Sequence, residues 1–196
     1  MPRRGGRPPT APMIKGKTRK NTYRAIYRLL DRVSPVPFDC GTICGAACCR
    51  TDDPENMGLY LLPGEEKIHD RRDPWLSWEL QSTDEYDFPP SWQGNVCYVN
   101  CAGPEHCRRS LRPIQCRTFP LKPVLLEEGE DRSVPVVYRE PGCSLALAWQ
   151  DESLPYCCPL IESAARLDPA FLHATYTVWK HLIRDPLIRD LIARRD

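Results

Sequence analysis

Apolar positions along the chain change period several times, and each change predicts an element. In "NTYRAIYRLLDRVSP", Tyr23, Ile26, Tyr27 and Leu30 recur at i, i+3, i+4 and i+7, which is one face of a helix. Arg24, Arg28 and Arg32 lie on the polar side, Asn21 or Thr22 can cap the start, and Pro35 stands just beyond the end. "MGLYLLPGEE" is a short apolar run broken by a turn at Pro63–Gly64. "WLSWEL" (75–80) alternates as a strand, with Trp75 and Ser77 on one face and Leu76 and Trp78 on the other. "YDFPPSWQGN" reads as loop, and "VCYVNC" has strand-forming residues. Val124 to Glu127 and Val134 to Tyr138 predict a hairpin across the polar connection "EGEDRS".

The last third is helical in pattern. "DPAFLHATYTVWKHLIRD" opens with Asp168 as N-cap and Pro169 at the first helical position. Phe171, Thr175, Val178 and Leu182 form one stripe, and Leu172, Tyr176, Trp179 and Ile183 form the next. So wide an apolar face is expected to pack on the cysteine-rich body. Asp185–Pro186 repeats the start signal for "LIRDLIARRD", and Pro159 does so for "CCPLIESAARL". The elements together predict a small, loop-rich α+β domain. A short β-hairpin sits in its body, one helix precedes that body, and helices follow it from about 159 to 195. The domain is expected to span 21–196 behind a disordered basic tail over 1–20.

Composition sharpens this picture. Residues 1–20 hold seven Lys or Arg and no acid, with Gly and Pro between them, and Met13 is an alternative start. No aromatics interleave with these charges for base stacking, which argues against a nucleic-acid arm. The whole chain of 196 residues balances 27 basic against 26 acidic residues, so no global field points to nucleic acid or a membrane surface. Twenty-one prolines, about twice the usual share, scatter along the chain and imply many turns. No run reaches the roughly 18–20 apolar residues of a membrane span, and the basic start is followed by no apolar secretory core. These features place the chain in the cytoplasm by expectation.

Eleven cysteines cannot all pair within one chain, and clustered cytosolic thiols more often hold metal or run redox chemistry than form bridges. Cys40, Cys44, Cys48 and Cys49 form a C-x3-C-x3-C-C block. On a helix, i and i+4 bring Cβ atoms to about 5–6 Å, close enough for two sulfurs to share an ion. Gly41 and Gly45 permit close backbone approach to a cofactor. The neighbours Cys48 and Cys49 are expected to point apart. A second block follows, in which Cys97, Cys101, Cys107 and Cys116 lie within twenty residues. Arg108, Arg109, Arg112 and Arg117 surround its last two thiols and suit the negative charge of metal-bound thiolates.

Cys143, in the turn "EPGCSL", is a candidate further ligand. Cys157 and Cys158 precede a helix, where a thiol pKa falls. His106 is the one histidine inside a cysteine cluster. G-x-G-x-x-G, P-loop, H-E-x-x-H and G-x-S-x-G patterns are missing, and the pairs Glu65–Glu66 and Glu127–Glu128 read as solvated turn acids.

"CGTICGAACCR" followed by "CRRSLRPIQCRTFP" resembles the two motif blocks of the YkgJ-like cysteine-cluster family, a group described as zinc- or iron-chelating. "GLYLLPGEE" is similar to the stretch that connects them in some members. The resemblance runs from about residue 38 to about 145. It implies a bound zinc ion or iron–sulfur cluster with Cys40, Cys44, Cys48, Cys49, Cys101, Cys107 and Cys116 as ligands. Arg112, Pro113, Arg117, Phe119 and Pro120 match the rest of the later block, with Arg112 and Arg117 beside the cofactor. Thiols outnumber the four that one zinc takes, which favours an iron–sulfur cluster, although two zinc ions would use them equally.

The family also contains a flagellin lysine methylase, so an iron–sulfur-dependent protein-modifying enzyme is one alternative. A thiol-redox or metal-handling protein working through Cys157, Cys158 or the spare thiols is another. A protein partner is compatible with each.

Overall fold

In the computed structural model, residues 11–50, 58–126, 135–150 and 158–194 are described. They form an α+β structure of two small antiparallel sheets and six helices, with short 3-10 turns between them. Among the described residues no helix is long and apolar enough to cross a membrane.

The first helix, α1 (Lys20–Leu30), buries the four residues its period singles out: Tyr23, Ile26, Tyr27 and Leu30. It begins two residues earlier than an Asn21 cap and three earlier than a Thr22 cap would set it, with Arg19 at the N-cap and no side-chain cap. The segment before it, expected as tail, runs along the body in its described part, 11–19. Ile14 is buried, its N–H donates to the Asn95 carbonyl, and Met13 bridges to Asn95. Thr18 donates through its backbone N–H (2.8 Å) and its hydroxyl (3.1 Å) to the buried carboxylate of Asp185.

Strands β1 (Gly58–Tyr60), β2 (Leu76–Ser82) and β3 (Asn95–Cys101) form the first sheet, in the order β1-β3-β2. The alternation in "WLSWEL" is realised: Leu76 and Trp78 turn toward Cys97, Val99 and Leu61 on one face. Trp75 packs in the same cluster from just outside the strand.

The second sheet joins β4 (Leu121–Leu125), β5 (Val136–Arg139) and β6 (Leu145–Trp149), in the order β4-β6-β5. This corrects the expected hairpin. The two segments taken as partners flank β6 and never pair with each other, and the hairpin joins β5 to β6 through Pro141 and Gly142. "LALAW" carries almost no polar atoms, so it takes the doubly covered centre. Pro123 in β4 lacks a donor and stands on an edge. The "EGEDRS" connection lies outside the described residues.

Helices α2 (Gly41–Cys44), α3 (Ile114–Thr118) and α4 (Pro159–Glu162) are single turns, while α5 (Pro169–Leu182) and α6 (Pro186–Ala193) are longer. The Asp168 carboxylate accepts from the N–H groups of Ala170 (2.7 Å) and Phe171 (3.3 Å), a cap that contributes about 1 kcal/mol. The wide face of α5 packs on α1 and on the second sheet. Phe171, Tyr176, Trp179 and Leu182 join Tyr23, Tyr27, Leu145, Leu147 and Ile188 in the main core. The Trp92 indole N–H donates to the Leu187 carbonyl at 2.7 Å and ties the connection between β2 and β3 to α6.

Candidate metal centre

The first cysteine block is not one continuous helix. Cys40 has helical backbone angles and α2 follows it, but Gly45 (φ 63°) and Ala46 (φ 60°) are both left-handed. Two such residues in a row reverse the chain into a 3-10 turn over Ala47–Cys49. Glycine accepts this conformation freely, whereas alanine gives up about 1–2 kcal/mol to hold it. The reversal brings Cys48 and Cys49 side by side with their sulfurs 3.8 Å apart, contrary to the expectation that neighbours diverge.

The second block begins on β3 with Cys101. It passes through 3-10 turns at Pro104–His106 and Arg109–Leu111 and ends on α3 with Cys116. The Phe119–Pro120 peptide that closes the motif is cis. Three groups hold this irregular stretch in place. Arg117 has its side chain 4% exposed and donates to the carbonyls of Arg112 (2.8 Å), Arg109 (2.9 Å) and Tyr27 (3.1 Å). Its guanidinium also lies over the Tyr27 ring. Arg117 is therefore a clamp on backbone.

Glu65, read from sequence as a solvated turn acid, is fully buried. Its carboxylate accepts from the Tyr27 hydroxyl (2.7 Å) and from the N–H groups of Ile114 (2.8 Å) and Leu62 (3.0 Å). Ile114 opens α3, so Glu65 fixes the helix that bears Cys116. His69 completes the group, with Nε2 3.1 Å from the Tyr27 hydroxyl and Nδ1 buried without a partner. The one sequence signal for Glu65 is its place in "GLYLLPGEE", inside the family-like stretch.

The two blocks face each other across Arg112. Its Nε donates to the Cys107 sulfur at 2.9 Å. The neighbouring Cys101 thiol, reinforced by Arg112, draws Cys107 down to about 6; Cys101, whose thiol donates to the Gly103 carbonyl at 3.8 Å, rises in return. In the same way the Cys48 thiol, with Arg112 behind it, draws Cys49 down to about 7 while Cys48 rises. Two pairs of cysteines, Cys48–Cys49 and Cys101–Cys107, thus lie near one guanidinium, which favours the thiolate form of Cys49 and Cys107.

Cys116 keeps exposed surface on α3, and the protein packed around it, with the charge of Cys49, pushes its thiol up to about 12. Burial also raises Cys40, with Asp39 and Cys44 adding to it. Arg50 and Glu105 (3.3 Å) and Arg109 and Asp39 (3.6 Å) link the blocks at the rim.

The remaining candidates lie elsewhere. Cys143 packs against the main core that holds Tyr176 of α5. Cys97 is buried on β3, where Arg71 donates to its sulfur at 3.6 Å and burial pushes it up to about 11. Cys158 packs against the main core, His106 is exposed, and Cys157 lies outside the described residues. The ten described cysteines are free thiols.

The donor set suits a thiophilic metal in kind, because thiolates with a guanidinium beside them are how such sites balance charge. It suits one in spacing at Cys48–Cys49, since two sulfurs on a tetrahedral zinc stand about 3.8 Å apart. Among the described residues, no three Cys, His, Asp or Glu side chains stand together in a ready ligand set. A metal would have to draw the pairs together. No family model, curated protein or solved structure matches the chain.

Proposed function

We propose that the chain is a metal-binding cysteine-cluster protein of the cytoplasm. Cys40, Cys44, Cys48 and Cys49 of one block and Cys101, Cys107 and Cys116 of the other supply thiolates to zinc or an iron–sulfur cluster. The observation that supports the reading is Arg112, which donates to Cys107 of one block at 2.9 Å and lies near enough to Cys49 of the other to feel its charge, although more than fifty residues separate the two cysteines in sequence. The YkgJ-like motifs lead to the same ligands. Bound metal would supply folding energy to loops that bury little apolar surface. Arg112 would offset thiolate charge, while Arg117 and Glu65 hold the second block in place.

Metal analysis and an absorption spectrum of anaerobically purified protein test this. At least about one equivalent of zinc, or of iron with a charge-transfer band near 400 nm, is expected. Less than about half an equivalent of either metal overturns the reading.

Thiol redox chemistry is a second reading, and one observation favours it. Cys49 and Cys107 are each drawn toward the thiolate beside a second thiol, which is a nucleophile paired with a resolving partner. Its working thiols are then these, in place of Cys157 and Cys158. Mass spectrometry after mild peroxide treatment separates the readings, because metal-bound thiolates are protected and a redox pair forms a Cys48–Cys49 or Cys101–Cys107 bridge.

A further inference from the structure

The outward face of the β1-β3-β2 sheet carries chemistry that a thiolate centre does not use. Register sets Tyr60 and Glu79 on either side of Tyr98, and Gln81 follows Glu79 along the same face. Alternate strand residues point to opposite sides, so this face is turned away from Cys97, Val99 and Cys101. Tyr60 is its hub. The rings of Tyr86, Phe88 and Tyr98 stand around it with centroids at 5.8, 4.8 and 5.0 Å, edge-on or tilted. Ile14, Trp92 and Leu187 close the face at the Val96 end. The other end is open: Tyr86 is 45% exposed, and Tyr60 and Tyr98 are half-buried. Tyr98 lies across Gly58, where a Cβ would come within 2.0 Å of its ring, so only glycine lets this tyrosine lie down on the sheet.

Charge here is one-sided. From Asp73 to Glu105 the chain has six acids (Asp73, Glu79, Asp84, Glu85, Asp87 and Glu105) and no lysine or arginine. The chain as a whole is balanced, so this is segregation, not a general acidity. Arginines from outside this stretch pair with three of them, Arg108 with Asp73, Arg194 with Asp87 and Arg50 with Glu105, but no ion pair among the described residues neutralises Glu79, Asp84 or Glu85. Glu79 sits close enough to Tyr60 and Tyr98 to raise both phenols, behind burial as the larger cause.

Tyrosine faces attract a cation through the ring quadrupole, and the carboxylates around them add a long-range field. Polyanions are repelled by the same field. Exposed tyrosines ringed by polar groups are the residues that anchor protein–protein contacts.

We propose that this face docks a basic segment of a partner protein, with lysine or arginine side chains engaging Tyr86, Tyr60 and Tyr98 and paired by Glu79, Asp84 and Glu85. The site is independent of the cysteine centre and stands whether or not that centre holds metal.

The test is an NMR titration of the full chain with an end-blocked octapeptide of alternating arginine and lysine. Shifts are expected at 58–60, 77–88 and 95–100, and affinity should drop at least about tenfold between about 50 and 300 mM salt. Tyr86→Ala should weaken binding at least about tenfold, as truncation of an anchoring tyrosine does. The double variant Glu79→Gln and Glu85→Gln, which keeps every side-chain volume, should do the same. Four results would overturn the proposal: no shift at millimolar peptide, shifts centred elsewhere, equal shifts with an end-blocked alanine–serine octapeptide or a neutral oligosaccharide, or loss of the face's signals to self-association of this chain.

Discussion

Taking the protein from pH 7 to pH 5 acts on His69 in a way the structure makes quantitative. Its ring is enclosed, with the rings of Trp75 and Trp78 at 6.5 and 5.9 Å. Its buried Nδ1 has no partner to receive a proton's hydrogen bond. Burial, then the nearby Arg117, bring its pKa from 6.5 down to about 4, against a partial offset from Asp73. A base with a depressed folded value binds its proton better when unfolded. Its stabilising contribution is therefore complete above 6.5 and is lost as pH falls toward 4. The separation of the two values corresponds to about 3 kcal/mol in the limit, and about 2 kcal/mol of it is gone by pH 5. Urea unfolding of wild type and His69→Gln at both pH values isolates this residue, because the other titrating groups are common to both chains. Wild type should lose about 2 kcal/mol more than the variant on acidification. A difference below about 0.5 kcal/mol would refute the account of a ring held neutral by its surroundings.

Three further outcomes follow from the site. Glu65→Gln keeps the bonds to Tyr27 and Ile114 but sets an amide N–H against that of Leu62, and should cost about 2–4 kcal/mol by calorimetry at pH 5. Burial raises the Glu65 pKa, so its advantage over glutamine is greatest in acid and narrows as pH rises; a gap that widens contradicts this. Ala46→Gly relieves a left-handed alanine and should stabilise the metal-free protein by about 0.5–1 kcal/mol in urea melts, where a destabilised variant would show that the strain is not there. Arg112→Gln removes the guanidinium at 2.9 Å from the Cys107 sulfur, so the midpoint of its alkylation rate against pH, in metal-free protein, should climb from about 6 toward that of an ordinary thiol.

Where one period dominated, the sequence was sufficient. The α1 stripe, the Asp168–Pro169 start of α5 and the Asp185–Pro186 start of α6 all stand where the pattern puts them, because capping and amphipathicity act within a few residues. The second sheet shows the limit. β4 and β5 each alternate plausibly, but pairing is a long-range choice, and the apolar "LALAW" outcompetes both as the central strand. At the candidate site Cys48 meets Cys49 and Arg112 meets Cys107, while no three possible ligands stand together among the described residues, and the aim of the thiols did not follow from spacing. The turn at Gly45–Ala46 inverts the local rule that neighbours diverge, so Cys48 and Cys49 meet. Glu65 was hidden for another reason. An acid after Pro-Gly reads as solvated, and only three donors arriving from α1, α3 and its own turn make it a buried anchor.

Both sheets share one topological habit: the strand that comes last in sequence lies in the middle, as β3 does between β1 and β2 and β6 does between β4 and β5. During synthesis, then, the two outer strands of each sheet leave the ribosome with nothing to pair to. The first sheet stays open until Cys101 has emerged and the second until Trp149 has. The wait is set by translation order, and a chain arrested just before either central strand exposes two wholly unpaired strands at once.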